Sequence, residues 1–200
     1  MIDDPELIVP DGAAWRAWLD ENESLSDGVW LVLAKKGTTT PTSLSYAAAL
    51  EEALCSGWID AQKRRRDDAT SLQRFCPRRA RSRWSARNVG IVERLTAAGR
   101  MRPRGTDEVE KAKADGRWES AYEGPRSIQV PEELAEALGV NPRAAAMFEI
   151  LSGQNRYAIL HRLANLRTPE AHTRNVGKFV AMLERGETPY PQKRTLEAES

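Results

Sequence analysis

The spacing of apolar positions changes character along the chain, and with it the predicted elements. In residues 12–20, Trp15, Trp18 and Leu19 stand at i, i+3 and i+4, one apolar face of a short helix. Residues 28–36 (GVWLVLAKK) are β-branched and apolar and run into a Gly-Thr-Pro loop, the pattern of a buried strand. Ser45 caps a helix extending to about Gly57, with Tyr46, Leu50 and Leu54 on one face. WIDAQKRRR and SLQRFCPRR flank the polar turn Asp67-Asp68-Ala69-Thr70 and predict a hairpin, its second strand ended or held at an edge by Pro77. Ser85 opens a helix with Val92 and Leu95 inward, closed by Gly99, and a short helix follows at about 106–115.

Beyond Tyr122–Gln129 (YEGPRSIQ), which carries Gly and Pro, the helical period takes over. Pro131 fits a first helical position before EELAEAL, with Gly139 as the stop. Asn141-Pro142 starts the next helix, and residues 153–166 form another with Tyr157, Leu160 and Ala164 on one face. Thr168-Pro169 caps the last, whose Val176, Phe179, Val180 and Leu183 make an i, i+3, i+4, i+7 stripe that ends at Gly186. The prediction is α+β: a small, mainly antiparallel sheet of about three strands with packed helices at 1–121, a linker at 122–129, an all-helical part at 130–186 and a polar, fraying tail at 187–200.

Composition narrows the class. With 200 residues, 40% hydrophobic and 30% charged, the chain is long enough for a substantial core and too apolar for wholesale disorder. No run approaches the roughly 18 apolar residues of a spanning helix. The acidic start, MIDDPELIVPDG, is unlike a secretory signal. Two cysteines, Cys55 and Cys76, build no disulfide framework, and no Cys/His cluster has zinc spacing. These features suggest a reduced, cytoplasmic chain with no metal or cofactor. The formal net charge of +1 conceals an asymmetry. Between Lys63 and Arg104, 14 basic residues stand against three acidic ones, a net of +11 that leaves −10 elsewhere. Such a block suggests an anionic partner unless the fold neutralises it internally.

The chemistry concentrates in 57–88. Arg78, Arg79, Arg81 and Arg83 offer forked donors for carboxylate or phosphate. Ser82-Arg83-Trp84-Ser85 then leads into a helix N-terminus, whose free N–H groups and dipole attract anions. Trp84 supplies a stacking face, and Asn88 stands in the first turn. The candidate ligand-binding residues are therefore Arg78, Arg79, Ser82, Trp84, Ser85 and Asn88. The opposing reading is a solvated basic face with Trp84 in the core and Ser85 merely capping. Asp60, between Ile59 and Ala61, is the candidate base or orienting acid; the plainer reading is a partner for nearby arginines. His161 and His172 lack a second ligand at i+4, and Cys55 and Cys76 lack a neighbouring His, so packing or boundary roles suit all four. Gln154-Asn155-Arg156-Tyr157 could line a cleft, although capping and packing explain it as well. No Walker A, G-x-G-x-x-G, G-x-S-x-G or H-E-x-x-H motif occurs.

The run GWIDAQ, Asp67, RFCPRR, SRWSARN, VERLTAAGRM-x-P-x-G and AKADGRW resembles the YdeI/OmpD-associated, or bacteriocin-protection, family. In order and spacing the resemblance extends from about Trp15 to Gly186, and QNRYAILHRL with TPEAHTRNVGKFVAML is similar to that family's helical C-terminal domain. Cys76 stands where the family pattern has Thr, and Ala61 where a small polar residue follows the Asp. The resemblance implies a cytoplasmic bacterial protein of stress and antimicrobial resistance, and no reaction. Three expectations follow: a small anionic ligand at the Arg78/Arg79–Ser85 region, an enzyme using Asp60 with the arginines, or nucleic-acid binding through the 63–104 block. None of them requires membrane insertion, and the oligomeric state stays open.

Overall fold

The computed structural model describes residues 4–125 and 127–196, and the chain divides into two compact units, Met1–Tyr122 and Glu123–Ser200. The first three residues, Arg126 of the expected linker and the last four residues of the expected tail lie outside the described residues.

Unit 1 holds β1 (Glu6–Leu7), α1 (Gly12–Asn22), β2 (Val29–Ala34), α2 (Tyr46–Cys55), β3 (Trp58–Arg65), β4 (Thr70–Pro77), α3 (Ala86–Ala97) and α4 (Pro103–Ala114). The sheet order is β1-β2-β4-β3; β2, β4 and β3 are antiparallel neighbours, while β1 pairs parallel to β2. The sheet therefore has four strands and is mixed, where the sequence predicted about three. The addition is β1, two residues long, too short to show an alternation and defined only by its pairing with Trp30 and Leu31. The predicted hairpin forms as β3 and β4, with a register irregularity between Asp60 and Lys63.

Strand alternation then decides what faces the core. Val29, Leu31 and Leu33 of β2 pair with Phe75, Gln73 and Ser71 of β4, so these six share one face. That face takes α1, α2 and α3, through Trp15, Leu19, Leu50, Leu54, Val92 and Leu95. Trp15 and Trp58 are fully buried, and each indole N–H finds a backbone carbonyl, at Ala49 and Glu23 respectively. Trp15 stacks on Trp18 at 5.2 Å and meets Trp58 edge-on at 6.3 Å. Each such burial stabilises by about 2–3 kcal/mol.

α4 approaches α2 without side chains between them. A Cβ on Gly105 would stand 2.1 Å from the Cys55 carbonyl oxygen, so only glycine permits this contact. Ser45 and Ser85 cap α2 and α3 as the sequence predicts, their hydroxyls accepting from Ala48 and Asn88 N–H.

Unit 2 is helical: α5 (Glu132–Gly139), α6 (Pro142–Glu149), α7 (Gly153–Ala164) and α8 (Pro169–Glu184). Leu134, Met147, Phe148, Ile159, Leu163, Val176 and Leu183 form its core, with α8 packed on the other three helices. Pro131 serves as the N-cap of α5 and not as its first helical residue. The segment after Gly186, expected to fray, is fastened as far as the described residues show. Fully buried Asn155 donates to the Tyr190 carbonyl and to Gln192 Oε1, both at 2.9 Å, and accepts from Tyr190 N–H at 2.8 Å. Among the described residues no helix is long and apolar enough to cross a membrane.

Candidate functional site

The site is built where β4 ends. Arg78, directly after β4, donates its backbone N–H to the Gly57 carbonyl at 3.0 Å, which sends its side chain back into unit 1. The guanidinium carbon lies 3.5 Å from the centre of the Trp84 ring, and Nη1 donates to the Arg83 carbonyl at 3.3 Å. Trp84 is buried in turn, edge-on to Trp118 at 4.8 Å. Tyr122 straps across the start of α3, exchanging backbone hydrogen bonds with Trp84 and Ala86.

Arg78 is only 7% exposed. Its Nε and Nη2, and the Trp84 indole N–H, are buried with no acceptor in hydrogen-bond range. Burial pulls the Arg78 pKa down to about 10, against the nearby charge of Glu108 and with the repulsion of Arg117. Asp60 adds a further favourable charge, so the candidate acid and the buried arginine sense one another. At neutral pH Arg78 is still a cation, held without a paired carboxylate.

Asp60 has its own partner. Its Oδ2 accepts from the Tyr46 hydroxyl at 2.8 Å, and Arg87 reaches the same hydroxyl at 3.4 Å. Burial first, then the Asp60 charge, pushes the Tyr46 phenol up to about 12, so it stays a proton donor to Asp60 across the physiological range. This geometry makes Asp60 an oriented acceptor. Tyr46, Arg87, Glu108 and Arg117 were not among the sequence candidates; they come from α2, α3, α4 and the segment after α4, and no local spacing marks them.

The remaining sequence candidates divide. Arg79 is exposed; its backbone N–H donates to the Ser82 hydroxyl at 3.1 Å, so Ser82 closes a turn. The Ser85 hydroxyl is committed to capping Asn88 N–H, and Ala86 N–H to the Tyr122 carbonyl. The expectation of free donors at the start of α3 is therefore corrected: capping and the Tyr122 strap take two of its first-turn N–H groups. Asn88 itself is buried, 6% exposed. The structure thus brings Arg78 and Trp84 into contact, with Ser82, Ser85 and Asn88 shaping the loop and helix start around them.

The basic block is partly neutralised inside unit 1. Arg65 pairs with Asp68, Arg66 with Glu6 and Asp67, and Arg74 with Asp4. Arg94 pairs with Glu51, Arg100 with Glu51 and Glu52, and Arg102 with Asp20 and Glu52. Burial raises the Glu51 pKa, but hydrogen bonds from Arg100 and Arg94 outweigh it and hold the carboxyl below its ordinary value. Arg64 lies over Trp30 at 3.9 Å, and Arg104 donates to the Glu23 carbonyl. No group of three or more His, Cys, Asp or Glu suited to a metal occurs among the described residues. Burial pushes the Cys55 thiol pKa up, the direction opposite to thiolate activation. In unit 2, His172 pairs with Glu133 across α8 and α5, and Arg156 lies over Phe148 at 4.4 Å.

Residues 127–186 match the model of the family described as Bacteriocin-protection, YdeI or OmpD-Associated. The stretch bearing GWIDAQ, RFCPRR and SRWSARN falls in a different match, over residues 7–108, to a Domain of unknown function (DUF8412). No curated protein and no solved structure matches the chain. The motifs of the first unit and the helices of the second thus answer to two different models. With just over half of its residues inside the first of them, the chain belongs to the DUF8412 family, and its residues 127–186 are similar to the YdeI/OmpD-associated family.

Proposed function

We propose that unit 1 holds a small anionic group, carboxylate or phosphate, against the Arg78–Trp84 pair, and that this binding serves a cytoplasmic role in bacteriocin or antimicrobial-stress protection. The observation that carries the reading is a nine-tenths-buried guanidinium whose Nε and Nη2 have no acceptor, stacked on an indole whose N–H has none either. A buried cation without a counter-charge is costly. An anion drawn to those donors offsets that cost, and arginine's planar fork suits a bidentate partner. Asp60 then orients Tyr46 and tunes Arg78 through its charge. The protective role rests on the family description matched by residues 127–186.

The pairing of Arg65, Arg66, Arg74, Arg94, Arg100 and Arg102 inside unit 1 weakens the nucleic-acid reading, since it engages six of the block's 14 basic residues with carboxylates. Thermal-shift titration with inorganic phosphate, acetate and phosphorylated metabolites tests the proposal. The wild type gains stability with rising ligand by mass action. Arg78→Met removes the gain, whereas Arg79→Ala, at the exposed rim, only weakens it. Equal gains in wild type and Arg78→Met would overturn this site.

A further inference from the structure

A concavity opens on the helix-facing side of the same sheet. It has a volume of about 240 Å³ and is lined by Leu33, Tyr46, Lys63, Ser71 and Gln73. The strand register explains why these five meet. Ser71 and Gln73 are two apart on β4 and share a face; Leu33 of β2 pairs with Ser71, and Lys63 of β3 pairs with Gln73. The register irregularity after Asp60 sets Lys63 on that side, and Tyr46 from the start of α2 supplies the aromatic wall.

Each polar group presents a definite chemistry. Gln73 is 5% exposed, and its Nε2 donates to the carbonyls of Gln62 at 3.0 Å and Arg74 at 3.4 Å. That fixes the amide orientation and leaves its carbonyl oxygen as an acceptor. Lys63 is exposed, joins none of the ion pairs and donates none of the hydrogen bonds found among the described residues, so its ammonium can meet an anion without breaking a contact. Ser71 adds a hydroxyl. Leu33 and the Tyr46 ring supply apolar surface.

We infer that this concavity is a binding site for a small carboxylate bearing an N–H or O–H donor and a short apolar part, the chemistry shared by free amino acids and hydroxy acids. The carboxylate pairs with Lys63, the donor goes to the Gln73 carbonyl oxygen, and the apolar part lies between Leu33 and Tyr46. The volume falls below the roughly 300–1,000 Å³ of sites for drug-sized ligands, which restricts the occupant to a small molecule. This site uses none of the Arg78–Trp84 donors and stands or falls independently of the function proposed above.

Calorimetric titration of the full chain tests it with four probes of one carbon skeleton: L-valine, 2-hydroxyisovalerate, isovalerate, which lacks the donor, and valinol, which lacks the carboxylate. Expected is binding of L-valine or 2-hydroxyisovalerate, with isovalerate and valinol each weaker by about tenfold. Whichever of the first two binds tighter separates the amino-acid source from the hydroxy-acid source. Lys63→Met, at an exposed position, lowers that affinity by about tenfold, Lys63→Arg restores much of it, and Arg78→Met leaves it unchanged. Failure of both L-valine and 2-hydroxyisovalerate to bind, or equal affinity in wild type and Lys63→Met, overturns the proposal. Loss of binding in Arg78→Met with Lys63→Met unaffected assigns the ligand to the other site and overturns it equally.

Discussion

The two units solve the problem of burying a core in different ways. Unit 2 is four helices on an apolar centre, and its most buried polar side chain, Asn155, makes three hydrogen bonds that pin the segment around Tyr190 and Gln192. Unit 1 buries more aromatic surface, yet it keeps a cation, Arg78, inside with two nitrogens unpartnered, beside an indole N–H also unpartnered. A unit that satisfies its buried polar groups is stabilised by them; one that leaves a charged group frustrated carries a cost that a ligand can relieve. The family description that mentions bacteriocin protection belongs to unit 2, and the unpartnered buried cation sits in unit 1, which matches a domain of unknown function. Name and chemistry are thus carried by separate parts of the chain.

The largest expected effect tests whether the units are separate in stability. Gly105→Ala places a Cβ 2.1 Å from the Cys55 carbonyl oxygen and 2.7 Å from its carbon, backbone atoms that no rotamer change can move. Unit 1 should lose about 4 kcal/mol or more, enough to unfold a marginally stable domain. Calorimetry on the full chain should then retain a helical transition from unit 2. Loss of all structure in one step breaks the comparison, because it makes the two cores one cooperative system.

Next in size is the satisfied polar group. Asn155→Ala removes three hydrogen bonds and strands the Tyr190 N–H, while the Tyr190 carbonyl keeps only the Thr188 hydroxyl. Unit 2 should lose about 2–3 kcal/mol, read as a shifted denaturant midpoint, and protease should cut between Thr188 and Gln192 at lower concentration. Unchanged cleavage would mean that the clip is not what holds the segment.

Much of the fold was legible because it is local. Caps at Ser45, Ser85 and Thr168, the turn at Asp67–Thr70 and the stripe of α8 are set by residues within one or two turns of each other. β1 was not, because two residues paired in parallel to a strand more than twenty positions away leave no periodic trace. The candidate site was half legible. The arginine cluster and Trp84 were visible, but their separation into a buried Arg78 and an exposed Arg79 depends on Gly57, Trp118 and Tyr122. The block's internal neutralisation depends on Asp4, Glu6, Asp20, Glu51 and Glu52, all on other elements. Ser71 and Gln73 at strand spacing were a usable signal for the concavity, since polar residues on the helix-facing side of a hairpin strand call for partners.

A smaller effect probes Tyr46. Its folded pKa is raised from 10.0 to about 12, so the stabilisation it provides is complete below pH 10 and is lost as pH climbs toward 12. The shift sets a ceiling near ~3 kcal/mol, which partial exposure of the ring reduces to about 1 kcal/mol. Urea unfolding at pH 8 and pH 11 should show the wild type losing about 1 kcal/mol more than Tyr46→Phe across that interval. Equal losses in the two proteins would remove the Tyr46–Asp60 pair from the alkaline response.

The test in which no loss of stability is expected is the most informative about the comparison. Burial depresses the Arg78 pKa to about 10, so at pH 7 the folded state pays to keep the group charged; the sign is that of a cation whose fold favours its neutral form, with stability gained only as pH rises through 10. Arg78→Met keeps an unbranched, polarizable side chain against Trp84 while removing the guanidinium with its charge and its two unpartnered nitrogens. Replacement of a poorly compensated buried charge by an apolar group of similar volume is often neutral or stabilising, so unit 1 should be unchanged or stabilised by up to about 2 kcal/mol. The same variant should lose every ligand-dependent shift that the wild type shows with phosphate or carboxylate. Stability held and binding lost would mean that Arg78 is retained for recognition at the expense of the core. A loss of about 2 kcal/mol or more would instead make the arginine a structural member of unit 1, held by its contacts with Trp84 and the Arg83 carbonyl, and the contrast between a satisfied Asn155 and a frustrated Arg78 would fail.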